Sequence, residues 1–529
     1  MAPEAFSEPR DPDPAFGARS SRSAETVRRR PAIRWAFPLT AAVAAAFVAL
    51  LGQDAGDPST VTSPPGLQYE VRETSIGQVD PSSPAPLLVV SPDRRRFAYL
   101  LQCEGGARVV VDGRAGPIWE WVQNLTFSPD GSHVAYAART TRESVVVIDG
   151  EPGPRFRRAS APAWSSDGQC AIYAAERDGE CFLVTGGEAG VRFRASLAAV
   201  APPANHMGRR VPPPGPIPVA VCPGGRRAAF VAQDERGCFV VVDDRAGPHV
   251  DEVFQDSLVF SPDGCRCAYS TLEGGRNCAV VDGVPGPTFG SDVGPVCFSK
   301  DSQHYAYVGK EPAASTVVVD GRRRGTHRFV SLLEFSPDSQ SWACAAGAVA
   351  HEGWCWSAIV DGRPDVEFDY VRSLVFSPDG SHLAYVGGLG DLEYLMLDGR
   401  AIAAHYSVRE PVYSADGSRF AYVAVGDDGR FSVVADGLTG PGHDQAGPAV
   451  FSSSGSQFAY TCGDLRSGRF QYRVALDGEV GPTYDGIVSP LAFADSGVLE
   501  YVATRGHEVW LVSHVRRLDA PAVDRHSGR

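Results

Sequence analysis

Lysine is nearly missing from this chain: of 49 basic residues only Lys300 and Lys310 are lysine. Arginine fills the rest without any visible demand for its geometry, which points to a GC-rich genome rather than to function. No basic stripe runs through a chain of formal charge −14, and a nucleic-acid partner is therefore excluded. The twelve cysteines include no Cys-x-x-Cys pair, so the paired spacing of a zinc site is missing. Cys170, Cys344 and Cys462 stand where other repeats have Ala or Val, as small core residues do. Disulfides in an oxidising compartment are the alternative.

Catalytic patterns are missing too. No Gly-x-Ser-x-Gly elbow occurs. His351-Glu352 and His507-Glu508 lack the second His of a zinc-protease helix. There is no phosphate-binding glycine loop and no aspartate ladder of the calcium type. No catalytic residue, cofactor or metal ligand can be named, and the expectation is a protein that is not an enzyme.

Long apolar runs are scarce, with one exception. Residues 1–34 have the Pro, Arg, Ser and Ala composition of a disordered tail. Residues 35–52, from Trp35 to Gly52, carry no charge and are near the minimum for spanning a bilayer. Arg28, Arg29, Arg30 and Arg34 precede this stretch, and Asp54 and Asp57 follow it. Positive-inside bias then keeps the tail in the cytoplasm and carries the rest across. A cleaved signal peptide is the rival, but no small-x-small site follows the run. The expectation is a single-pass anchor in a bacterial cell membrane. Residues 53–85 read as a Pro, Ser, Gly and Asp linker, inside which 67–72 alternates at period two like one extra strand. Residues 521–529 read as a second disordered tail.

What the chain has in abundance is one phrase. Phe127-Ser128-Pro129-Asp130-Gly131-Ser132-His133-Val134-Ala135-Tyr136 returns in near copy at 260–269, 376–385 and 413–422, and more weakly at seven further places. Gly (57) and Pro (41) make up about a fifth of the 529 residues, against roughly 12 per cent in average proteins, as many tight turns require. Aligned on Ser91, Ser128, Ser165, Cys222, Ser261, Ser299, Ser336, Ser377, Ser414, Ser452 and Ala494, the repeats number eleven, with a period near 38. One long step holds a Pro-rich insertion at 202–218. Self-similarity at such a period signals a repeat architecture.

Each repeat reads as four strands. The first ends in the Phe-Ser pair. Ser-Pro-Asp-Gly has the residue types of a hairpin turn. The second strand (Leu383, Ala384, Tyr385, Val386) and the third (Thr316 to Val319) are apolar on both faces, as doubly covered strands are. Asp-Gly closes the third, Gly-Pro often opens the fourth, and the fourth is polar like an outer edge. The recurring Asp residues (Asp112, Asp149, Asp282, Asp320, Asp361, Asp398, Asp436, Asp477) are turn residues on this reading, because what every repeat holds maintains the repeat.

Stacked four-stranded sheets of this kind are propeller blades. The phrase resembles the WD40-like repeat of the bacterial TolB type, an aromatic followed by Ser-Pro-Asp-Gly, a polar residue and Ala-Tyr or Ala-Phe. That resemblance spans roughly residues 87–515, implies an all-β propeller and implies little about function. The TolB propeller is similar to a single six-bladed ring beside a separate domain. Eleven blades exceed the usual four to eight, so two rings of five and six blades over residues 86–520 are expected, with one large ring as the alternative. Pairing of 67–72 with the end of the chain would close a ring.

Function is expected where repeats differ, in the loops between second and third strands and between blades. Trp119, Trp121, His206, Arg209, Arg210, His351, Trp354 and Trp356 stand there, of types enriched at binding hot spots. The reading is a membrane-anchored extracytoplasmic scaffold whose partner is protein. The alternative is a lyase or hydrolase acting in the central funnel.

Overall fold

The computed structural model describes residues 69–80, 88–198, 219–350 and 353–516. The tails expected at 1–34 and 521–529, the anchor expected at 35–52, most of the expected linker and the insertion at 202–218 lie outside the described residues. The described residues form eleven antiparallel sheets, each a blade. Blades 1 to 10 begin with strands starting at Leu88, Trp121, Arg158, Ser196, Glu252, Asp292, Phe329, Tyr370, Ser407 and Gln445, and blade 11 with one starting at Gly486.

Eleven apolar clusters lie between successive blades, each drawn from two neighbouring sheets. The last joins blade 11 to blade 1, where Val502 and Val509 pack with Leu88, Phe97, Tyr99 and Val110. Every sheet is thus covered on both faces, and the structure is one eleven-bladed ring. The expectation of two rings is corrected. Second and third strands are almost wholly buried, as in Val134–Arg139 and Ser144–Ile148, whereas fourth strands such as Glu151–Phe156 are exposed. First strands of neighbouring blades adjoin one another around the axis, as Phe329–Phe335, Tyr370–Phe376 and Ser407–Tyr413 do.

The strand foreseen at 67–72 exists as Tyr69–Gln78. It pairs antiparallel with Glu508–Arg516 and forms the outer strand of blade 11. The propeller therefore includes Tyr69–Gln78, inside the stretch read as linker.

The repeated phrase holds the blades in shape. In blade 2 the Gly131 N–H donates to the Ser128 carbonyl (2.9 Å). Asp130 accepts from the Ser128 hydroxyl and from the Ser132 N–H (3.1 Å). These hydrogen bonds, that from Ser128 first, hold the Asp130 carboxyl down at about 2. Asp149 and Gly150 both have positive φ (51° and 84°), the mirror-image turn that suits a twisted hairpin. Asp149 Oδ1 accepts the Val134 N–H (3.0 Å) and Oδ2 pairs with His133 Nδ1 (2.6 Å). The Asp thus locks the second strand to the third, and its turn role holds.

The residue after the turn also ties blade to blade. Arg96 bonds its own blade's Asp112 (2.9 Å), donates to the Ser132 carbonyl of blade 2 (2.5 Å) and lies over the ring of Phe127 (5.4 Å). Arg266 repeats this with Asp282, Gln303 and Phe298. All twelve cysteines are free thiols, and seven are buried.

Candidate functional site

The chain's own order divides the ring into two rims. Ser-Pro-Asp-Gly and Asp-Gly turns share one. The hairpins between second and third strands and the links between blades share the other, called here the loop rim. On the loop rim a residue at the end of each fourth strand plugs the gap to the next blade, opposite the start of the third strand. Phe156, Phe289 and Phe368 do so through ladder pairs, and Phe193 and Tyr484 through single bridges.

Trp119 is one of these plugs. It pairs with Ala107, packs into the cluster between blades 1 and 2, and is only 8 % exposed. Its candidacy as a binding-surface residue is corrected: the gap between twisted blades has to be filled, and Trp119 fills it. Trp121, two residues on, opens the first strand of blade 2 and is 51 % exposed. His206, Arg209, Arg210 and His351 lie outside the described residues.

Trp354 and Trp356 come together with a residue not singled out from the sequence, Phe329. The third strand of blade 7, Gly353–Val360, pairs Trp354 with Val349 and Trp356 with Gly347. The first strand pairs Phe329 with the same Gly347. Cross-strand partners share a face, so all five line one side of the blade. Phe329 stands 4.9 Å from Trp354 and 6.4 Å from Trp356, ring centre to ring centre. Gly347 makes this possible, because a Cβ there would lie 2.8 Å from the Trp356 ring. Arg328 sits over Phe329 at 5.7 Å.

The cluster is open to solvent. Val349, Trp354 and Phe329 are exposed, and so are Tyr370 and Leu389 on blade 8. Monomeric proteins rarely leave contiguous apolar groups of this kind uncovered unless something binds there. Phe329 could have been found from the sequence. It stands six residues before Phe335, as Trp121 stands before Phe127 and Tyr370 before Phe376.

Two polar clips brace the same rim. Arg372 and Tyr370 both bond Glu393, and Glu393 accepts the Val408 N–H of blade 9. Asp464 of blade 10 receives His443, Arg430 and Arg473. A further departure lies on an inner strand. Glu334 pairs with Ala343 where other blades place Thr126, Val259, Cys297 or Val375. Its Oε1 is buried without a hydrogen-bond partner, and burial raises its carboxyl to about 7. Among the described residues no group of His, Cys, Asp and Glu is placed to hold a metal ion, and no helix is long and apolar enough to cross a membrane.

The sequence matches no protein-family model and no curated protein. Among solved structures the fold is similar to that of a eukaryotic initiation factor (9 % identity, 80 % of this chain and 99 % of that one, TM-score 0.37). It is also similar to hydrazine synthase of Kuenenia stuttgartiensis (13 % identity, 52 % and 94 %, TM-score 0.25). TolB of Acinetobacter baumannii is a third (14 % identity, 50 % and 77 %, TM-score 0.22).

Proposed function

We propose that this chain is a protein-binding propeller, held at a membrane by residues 35–52, and that its partner docks on the loop rim of blades 7 and 8. The observation that carries this reading is the exposed pair Phe329 and Trp354 on a rigid blade, backed by a half-buried Trp356. Large aromatic anchors that lose water on binding supply most of the energy in protein interfaces. A blade locked on both faces presents them with little ordering cost. The formal charge of −14 favours protein over nucleic acid as the partner.

The test is co-purification with the full chain from solubilised membranes, native against Phe329→Ala/Trp354→Ala. The expected result is a partner recovered with the native chain and lost with the variant. Recovery of the same proteins by both overturns the docking site. Recovery of the chain in the soluble fraction with residues 35–52 intact overturns the anchor. Turnover of a sugar or lactone that is lost on changing Glu334 would favour an enzyme with its site in the channel.

A further inference from the structure

The outer strand of each blade is an open hydrogen-bonding edge, and most blades blunt it. Blades 1, 3, 4, 9 and 10 have outer strands of two residues. Blades 2, 5 and 7 interrupt theirs with proline, as at Pro154, Pro287 and Pro364. Blade 11 carries Glu70 and Glu73 on its edge. Blade 8 has a proline-free edge, Arg400–His405, without charge inside it. Blade 6 is alone among the described blades in an edge that is six residues long, proline-free and cationic: Arg322–His327, opening Arg322-Arg323-Arg324.

These arginines are exposed. Arg323 is held over the Phe289 ring (4.6 Å) and donates to the Thr288 carbonyl (3.2 Å). Arg322 and Arg324 form no ion pair among the described residues. Arg328, exposed, extends the positive region onto the link that follows, whereas Lys310 on the same blade is paired with Asp292 (2.8 Å); the total charge of the chain is strongly negative.

Cations on an edge strand ordinarily keep it from pairing with copies of itself. The same charges do not exclude a strand of opposite sign; they select for one. The chain runs from this edge over the loop rim to the aromatic cluster, which lies on the face of blade 7 turned towards blade 8. His327 is followed by Arg328, which lies on Phe329, and Phe329 meets Trp354. We propose that the edge of blade 6 accepts an acidic, extended segment of a partner protein as a fifth strand, which runs on to place an apolar residue against Phe329 and Trp354. This inference rests on the docking site proposed above and adds the partner's chemistry. Backbone pairing supplies affinity and the arginines supply selectivity. A bulge at Arg324, between the Val318 and Val317 pairings, leaves Gly325–His327 as the regular stretch nearest the aromatic cluster.

The test uses the full chain and a fluorescein-labelled peptide, acetyl-Glu-Val-Glu-Val-Glu-Val-Phe-amide, read by anisotropy. Binding is expected to weaken at least tenfold in Arg322→Glu/Arg324→Glu, and to return in that variant with Lys in place of Glu in the peptide. N-methylation of alternate peptide amides is expected to abolish it. Equal binding of a Glu-Pro peptide would mean charge attraction alone and overturns the strand. Loss on Ile402→Lys rather than on the arginine changes would assign the edge of blade 8 instead and overturns it. If Trp354→Ala weakens binding and the arginine changes do not, this inference fails while the docking site stands. If no peptide binds the native chain, the acidic strand is overturned, and the docking site stands or falls by the co-purification.

Discussion

A Cβ on Gly286 would stand 2.5 Å from the hydroxyl oxygen of Tyr307 in the next blade. That single approach links two motifs which sit apart in each repeat, the Gly-Pro that opens a fourth strand and the Ala-Tyr of the following second strand. Gly116, Gly247 and Gly440 face Tyr136, Tyr269 and Tyr460 more loosely, at ordinary contact distances of 3.6, 3.7 and 3.4 Å. At Gly286 glycine is required for room rather than for backbone freedom. Gly286→Ala is expected to cost about 1–3 kcal/mol, the usual range for overpacking. The Tyr307 hydroxyl is buried without a partner, so Tyr307→Phe alone is expected to be neutral or stabilising. Denaturant unfolding of the double-mutant cycle checks both: Gly286→Ala should cost less in the Tyr307→Phe background. An equal cost in both backgrounds would sink the account.

The Asp-Gly lock predicts a graded series at Asp320. Its Oδ1 accepts the Tyr305 N–H (3.1 Å), its Oδ2 pairs with His304 (2.8 Å), and its φ is 50°. Asp320→Ala is expected to lose roughly 2–4 kcal/mol, from two hydrogen bonds and a left-handed residue. Asp320→Asn keeps an acceptor and tolerates that φ, and it should lose less than half as much. Urea midpoints at constant slope measure this, and equal losses for Ala and Asn would contradict it.

Glu334 predicts a loss of stability with rising pH. Burial raises its folded value to about 7 from an ordinary value near 4.5. The folded state then holds the proton more tightly than the unfolded state across that window. Its contribution is complete below about 4.5 and is lost as pH rises through about 7, up to about 3 kcal/mol in all. Glu334→Val, the residue of several sister blades, should abolish this dependence and raise stability at pH 8. A native-like pH profile in the variant would refute the assignment.

His514 predicts the opposite slope. It is 3 % exposed, accepts or donates at 3.1 Å to the Tyr501 hydroxyl, and is pushed by burial to about 4. The unfolded state gains its proton near 6.5 and the folded state resists it. Stability is therefore complete above about 6.5 and falls as pH drops towards 4, by up to about 3 kcal/mol. His514→Gln should flatten the profile between pH 4 and 6.5. Thermal melting across that range distinguishes the two.

The blade was legible because its causes are local. The turn residues, the two doubly apolar strands and the closing strand near residue 69 each have a signal within ten residues. The number of rings was not legible. It depends on the small angle between neighbouring blades, which arises from plugs such as Trp119 and Phe156 packing across a gap, and no spacing in the repeat encodes it. Trp119 and Trp121 show the same limit at the site. They are of one type and two residues apart, yet the chain bends at Glu120 and one fills the seam while the other faces water. Glu334 was legible as a departure, because its ten counterparts are small or apolar, but its burial was not.

The pairing of Tyr69–Gln78 with Glu508–Arg516 also sets a timetable for synthesis. Gln78 and Glu508 are 430 residues apart. At roughly 5–20 residues per second, about 20–90 seconds separate their emergence from the ribosome. Throughout that interval the first strand has no partner, and the growing arc of blades has two raw ends. The charges of Glu70, Arg72 and Glu73 suit a strand that must stay apart from everything else until its partner is made. Completion of the ring is then the last event of folding, and a pause late in translation would leave the nascent chain open at its most adhesive surface.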